Sequence, residues 1–210
     1  MDSRKKMAMI IKRLRKEYPA LRSALNYRNP FELLVATILS AQTTDAHVNK
    51  VTGALFGKYR TIDDYADVPI GQLQKDVRSV NFFNNKARNI QASARLIREK
   101  FGSKVPQTME ELVSLPGVAR KTANIILYNA FGRNEGIAVD THVKRLANRL
   151  GLTPYDDPVK IERDLMEITP KEMWGDLTHL LIAHGRQVCQ ARKAMHEKCI
   201  LRDICPSGDL

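Results

Sequence analysis

EELVSLPGVARKTANIILYNAF, residues 110–131, reads as a short helix, a tight turn and a longer helix. Pro116 sets one backbone angle of the turn, and Gly117 is free to take positive φ. This is a helix-hairpin-helix pattern. The backbone amides of Gly117 to Ala119, with the positive end of the following helix, make a phosphate-binding site that reads no base sequence. Taken alone, Pro-Gly before a helix is a common turn; what singles this one out is Lys121. In the first turn of a helix the macrodipole disfavours an ammonium, so a lysine there works against local stability. Two readings stand: a solvent-facing contact to phosphate, or an amine nucleophile whose neutral form is favoured by burial, by neighbouring Arg120 and by the dipole.

An attacking amine needs a carboxylate nearby. IAVDTHVKRLANRLG, residues 137–151, supplies Asp140 at the head of the next long helix. Aspartate is also an ordinary N-cap, accepting from amides two or three residues on. If both helix N-termini face one cleft, Lys121 and Asp140 form an amine and carboxylate pair aimed at a bound phosphodiester.

Outward from the hairpin, helical signals recur to both ends of the chain, with no sustained period-two alternation, so the expected fold is all-α. Residues 3–17 are amphipathic. Asn29 caps a helix with Pro30 at its first position, leading into the nearly all-apolar FELLVATILS, which must be buried. Helices are expected over 44–59, in short pieces at 61–68 and 69–80, and over 85–102 with Gly102 as the stop. Thr108 and Glu111 read as a capping box for a short helix ending at Leu115. TANIILYNAF closes at Gly132, and two further helices lie at 156–168 and 171–189, separated by Pro170. The polar loop GRNEG, residues 132–136, is the softest boundary.

With 43% hydrophobic residues in 210, the chain can bury a proper core, which excludes a disordered tail protein. Its 34 Lys and Arg against 23 Asp and Glu leave a net charge of +11, which suits either a nucleic-acid partner or a basic protein with solvated lysines. No stretch approaches the roughly 20 apolar residues that span a membrane, and the N-terminus lacks a signal peptide's apolar core, so an intracellular protein is expected. All three cysteines fall within residues 189–210, which points to metal rather than disulfides.

LSAQTTD at 39–45, LPGVARKTAN at 115–124, VDTHVKR at 139–145, HGRQVCQARK at 184–193 and the C-terminal cysteines together resemble the endonuclease III family, the bifunctional DNA glycosylases and AP lyases of the helix-hairpin-helix superfamily. The likeness runs over nearly the whole chain. It implies a six-helix lobe over 22–135, and a second lobe from 1–21 and 136–210 that carries a cluster loop at 189–205. Damaged duplex DNA would lie across the cleft of a monomer acting in the cytoplasm and nucleoid. By residue match, Lys121 takes the place of the nucleophilic lysine and Asp140 that of the catalytic aspartate. The activity implied is removal of oxidised pyrimidines from a flipped nucleotide, followed by strand cleavage. Adenine-mismatch and archaeal-type thymine-mismatch glycosylases lack the amine, so Lys121 speaks against both. A non-catalytic DNA-binding protein is the rival from another class.

The same resemblance gives DNA contacts to Gly117, Ala119 and Arg120, and sends Gln42 and His142 into the gap left by the flipped base. Phe82 falls where a leucine wedge is usual, preceded by Asn81 where glycine is usual; it suits wedging or core packing. Ala119 replaces a common second glycine, and its methyl crowds phosphate unless φ there is negative. In the C-terminal cluster, Cys189, His196, Cys199 and Cys205 have the spacing C-x6-H-x2-C-x5-C, with histidine in the place of the family's second cysteine. By ligand type this is an ordinary zinc set; the resemblance implies a [4Fe-4S] cluster, in which histidine can replace one thiolate. His196 as a bystander is the third reading. Arg192 and Lys193 would form a basic loop tip that meets phosphate.

Overall fold

The computed structural model describes residues 2–19 and 23–208. Among these the expected all-α fold is found: eleven α-helices, three short 3₁₀ turns and one isolated bridge, between Cys189 and Ala194. No helix is long and apolar enough to cross a membrane. The chain forms two compact units, Ser23–Arg133 and Met1–Arg22 with Asn134–Leu210.

The Ser23–Arg133 unit is built around α2 (Pro30–Ser40), in which every residue from Phe31 to Leu39 is buried. The N-cap Asn29 and Pro30 start it as expected. Glu32 tolerates burial because it accepts from the backbone amide and guanidinium of Arg28. Helices α3 (Asp45–Lys58), α6 (Phe83–Phe101) and α8 (Arg120–Phe131) pack on α2, while α4 (Ile62–Asp67) and α5 (Ile70–Asp76) lie on α6. Leu33, Leu34 and Leu39 are fully buried, and truncating any of them to alanine is expected to cost about 2–5 kcal/mol.

Two boundaries differ from expectation. Helix α6 begins at Phe83, and its N-cap is Phe82 in a left-handed conformation with no side-chain cap, so no local start signal exists there to read. Helix α7 (Met109–Val113) stops short of Leu115, because Pro116 drives the residue before it out of the helical region. Its cap also differs from a capping box: Thr108 accepts the Glu111 amide at 3.3 Å and donates its hydroxyl to the Glu111 carboxylate at 2.7 Å.

In the second unit, α1 (Ser3–Glu17) packs against α10 (Pro158–Ile168) and α11 (Trp174–Gln187), and α9 (Thr141–Arg149) against the same two. Met7, Ile10, Leu14, Val143, Leu177 and Leu181 are buried completely. Pro170 separates α10 from α11, and the Trp174 indole closes the break by donating to the Thr169 carbonyl at 3.0 Å.

Candidate active site and metal loop

The hairpin between α7 and α8 is held from below by α6. The Ser93 hydroxyl donates to the Pro116 carbonyl at 2.9 Å, and Val118 N–H closes the turn on Leu115 at 3.1 Å. Gly117 has φ +80°, and a Cβ there would stand 2.8 Å from the Asn89 Nδ2 atom. Conformation and space therefore both demand glycine at 117. Ala119 is different: as N-cap of α8 it has φ −87° and ψ 168°, an extended geometry open to any residue, so its methyl brings no strain. No side chain caps the first turn of α8.

Lys121 lies on that turn and is exposed. The burial expected around its amine is absent, because the buried face of α8 begins only at Ala123, one residue beyond the turn that carries Arg120, Lys121 and Thr122 to the surface. Exposure leaves both readings of this lysine chemically open.

Asp140 is the N-cap of α9. Its Oδ1 accepts from the amides of His142 and Val143, both at 2.8 Å, while Oδ2 takes no part in the cap. Capping and a chemical role are thus compatible in one carboxylate. His142 lies over Gly185, where a Cβ would come within 3.0 Å of its Nδ1. The Arg145 guanidinium stands 3.1 Å from that nitrogen. A guanidinium only donates, so Nδ1 accepts and the neutral ring carries its proton on Nε2. Burial pushes the His142 pKa down, against the opposing charge of Asp140 and a backbone hydrogen bond to Gly185.

Gln42 and Phe82 both take left-handed backbone conformations, at φ 55° and 58°. Phe82 is 62% exposed, which rules out core packing for its ring. Sequence reading missed the side chains that hold these two turns. Asn81 donates to the Gln42 carbonyl, and buried Lys86 donates to the carbonyls of Leu39 and Ala41 at 2.7 and 2.6 Å. Nothing local announces Lys86; only the periodicity of α6, which puts it on the buried face beside Ala87 and Ile90, hints at it.

Beyond α11, Cys189, His196, Cys199 and Cys205 all line one cavity of about 330 Å³. Among the described residues no three His, Cys, Asp or Glu side chains converge on a single-ion position. The donors surround a space instead of closing on a point, as the short bonds of a tetrahedral zinc would require. The His196 Nδ1 atom lies 2.7 Å from the Gly208 carbonyl, so it donates and Nε2 keeps its lone pair. Arg149 donates to the Cys189 sulfur at 3.3 Å, and its guanidinium also holds the carbonyls of Gln190 and Ala191. Arg145 holds the Cys189 carbonyl. Behind Cys199 stands His184, 3.4 Å from the sulfur and bonded on its other face to the Tyr18 hydroxyl; burial pushes its pKa down to about 4. Burial pushes the Cys199 thiol up, a bias that a bound cation reverses. Arg192 and Lys193 are exposed on the loop.

Residues 35–171 match the model of the HhH-GPD superfamily base excision DNA repair proteins. The endonuclease III of Synechocystis sp. is 51% identical over 99% of this chain and 95% of its own. A solved structure of a trapped endonuclease III–DNA covalent intermediate, an estranged-adenine complex, superposes with a TM-score of 0.93 at 44% identity, covering 99% of this chain and 98% of that one. A thermostable thymine-DNA glycosylase superposes at 0.86 with 25% identity over 97% of each chain. The similarity spans both units and the loop alike, and the chain belongs to the endonuclease III family of the HhH-GPD superfamily of base excision DNA repair proteins.

Proposed function

We propose that this DNA glycosylase excises oxidised pyrimidines from duplex DNA and then cleaves the strand as an AP lyase, with Lys121 as nucleophile and Asp140 as its carboxylate partner. The observation that carries the reading is the placement of an exposed primary amine on the first turn of α8, directly after a turn in which the Val118 amide closes on Leu115 and the Gly117 and Ala119 amides are the ones proposed to meet phosphate. A relative 44% identical is captured as a covalent DNA intermediate, chemistry that requires such a nucleophile.

With the nucleotide flipped out of the stack, Lys121 Nζ bonds to C1′ as the bond from C1′ to the base breaks and the base departs. Asp140 takes the proton the amine loses and stabilises positive charge on the sugar. The C1′–O4′ bond then breaks, O4′ leaving as a hydroxyl with a proton from the nitrogen side, and the imine so formed at C1′ acidifies C2′. Loss of a C2′ proton expels the 3′-phosphate, and water then releases the enzyme. His142, a donor at Nε2, and Gln42 and Phe82 occupy the space the nucleotide vacates. Gly117, Ala119 and Arg120 hold backbone phosphate, and Arg192 and Lys193 meet it at the loop tip.

Cys189, Cys199, Cys205 and the Nε2 atom of His196 are the ligands we assign to a [4Fe-4S] cluster, which fits a donor set arranged around a cavity better than zinc does. Such a cluster would pin the loop, and the neutral imidazole raises its potential relative to four thiolates. Metal analysis and the visible spectrum of anaerobically purified protein test this: colourless, zinc-loaded protein would overturn it.

Borohydride trapping on a duplex with one thymine glycol tests the nucleophile. A covalent protein–DNA band is expected, and it is expected to vanish in Lys121→Gln while DNA binding remains. Undiminished nicking by that variant would show the wrong lysine has been chosen.

A further inference from the structure

Three side-chain ties join the segment from the end of α2 to the first turn of α3, residues 39–47, to the segment from Ser79 to the first turn of α6, residues 79–86. The Asn81 carboxamide donates to the Gln42 carbonyl. The Lys86 ammonium donates to the carbonyls of Leu39 and Ala41 and lies 3.2 Å from the Thr43 hydroxyl. The His47 Nε2 atom meets the carbonyl and hydroxyl of Ser79 at 3.0 and 3.1 Å. Lys86 is only 5% exposed, and its cation ends on the carbonyls that α2 leaves without helical partners. Burial alone opposes that charge and lowers its pKa; the three acceptors give the ammonium its reason to be there.

These ties enclose the two strained residues that point outward. A non-glycine residue in the left-handed region costs on the order of 1 kcal/mol and persists only where its surroundings hold it. Gln42 and Phe82 are both exposed and both left-handed, and each is next to a tie: Asn81 bonds the carbonyl of Gln42 and is covalently joined to Phe82. A glycine at 81 has no side-chain donor to offer.

We propose that Asn81, supported by Lys86 and His47, is a positioning residue that locks Gln42 and Phe82 into one rigid two-pronged probe, so that both enter the base stack together when a nucleotide is displaced. The proposal rests on reading Gln42 and Phe82 as DNA-facing. A loose pair would have to be ordered at the moment of insertion; a tied pair has met that entropic cost during folding. The tie therefore acts on displacing a stacked, paired nucleotide and not on the chemistry after it is out.

The test is Asn81→Asp, which keeps shape but removes the donor and sets a carboxylate against a carbonyl. Single-turnover excision is measured on one lesion in two settings, a fully paired duplex and a short mismatched bubble in which the nucleotide is already unpaired. Asn81→Asp is expected to be about tenfold slower on the paired duplex, the scale of a modest misplacement, and within about twofold of the parent on the bubble, with a melting temperature lower by no more than about 2–4 °C, the scale of one lost hydrogen bond. Equal slowing on both substrates would make Asn81 merely structural and overturn the proposal. So would parent-like rates on the paired duplex alongside a slow Phe82→Ala, since the wedge would then work untied. If Phe82→Ala itself leaves paired-duplex excision unchanged, the DNA-facing reading falls first and the proposal with it.

Discussion

The hairpin at 109–131 and the loop at 189–208 are both read as meeting phosphate, yet they keep their shapes by different means. The hairpin is two helices with buried faces, Leu112 under one and Ala123, Ile126 and Leu127 under the other, joined by a turn whose geometry Pro116 and Gly117 dictate. The loop contains two three-residue 3₁₀ turns and one bridge, and Leu201 is its one buried hydrophobic side chain. Guanidinium groups hold it from outside: Arg145 and Arg149 on the backbone at 189–191, and Arg13 on the Ile200 carbonyl and Asp203. Hydrophobic burial, of its two helices on each other and of α8 on α2, holds the first segment. The second has too little to bury and depends on cross-links, of which metal ligation is the strongest available.

The largest effect separates the two regions by chemistry. Lys121→Gln is expected to lower base release on the order of 10⁴-fold or more, the scale of deleting a nucleophile, with the melting temperature unchanged because Lys121 is exposed. Single-turnover kinetics and a thermal melt check both halves, and a marked loss of stability would mean the lysine supports the hairpin. Next comes the loop. Removing the metal we assign to it is expected to lower the melting temperature by about 10 °C, since a site saturated a thousandfold contributes about 4 kcal/mol and each kcal/mol is worth roughly 2–4 °C in a chain of this size. Hydrogen exchange is expected to show protection lost over 189–208 and kept over 109–131; equal loss in both would end the contrast.

Within the hairpin, Gly117→Ala is expected to cost about 1–3 kcal/mol, because it meets both positive φ and the Asn89 side chain. Ala119→Gly, at ordinary φ, is expected to cost less than about 1 kcal/mol. Denaturant midpoints compare the two, and a reversed order would relocate the tight point of the turn.

The smallest effect concerns acid. His142 and His179, both in the unit that carries the loop, have pKa values pushed down by burial. A folded-state value below that of the unfolded chain means the unfolded state takes up protons first. Stability from these groups is therefore whole above about pH 6.5 and falls as pH drops below it. His179→Gln is expected to flatten the fall in melting temperature between about pH 6.5 and pH 5; an unchanged slope would assign the acid sensitivity elsewhere.

Helix starts were readable wherever a polar cap sits one residue before an apolar run, as at Asn29, Thr108 and Asp140, because the cap satisfies amides only two or three residues away. The start of α6 was not, since Phe82 has no capping side chain and the residue before it is held by a bond to Gln42, 39 residues upstream. The motif at 39–45 marked Gln42 as interesting without a hint of its backbone strain. The four cluster positions were legible as a spacing, and their common cavity was not. The burial expected for Lys121 failed because helical periodicity says which residues share a face but not where along the helix the core begins.

By itself, then, the sequence determined the all-α class, most helix ends, the hairpin turn with its demand for glycine at 117, and the list of residues with useful chemistry. These depend on interactions within a few residues, and local pattern encodes them. Tertiary structure alone decided that Lys121 is exposed, that His142 presents Nε2–H, that His196 turns Nε2 away from its bond to Gly208, and that Asn81 and Lys86 bind two distant turns into one. Each of these is set by a partner remote in the chain, and no local pattern carries the identity of such a partner.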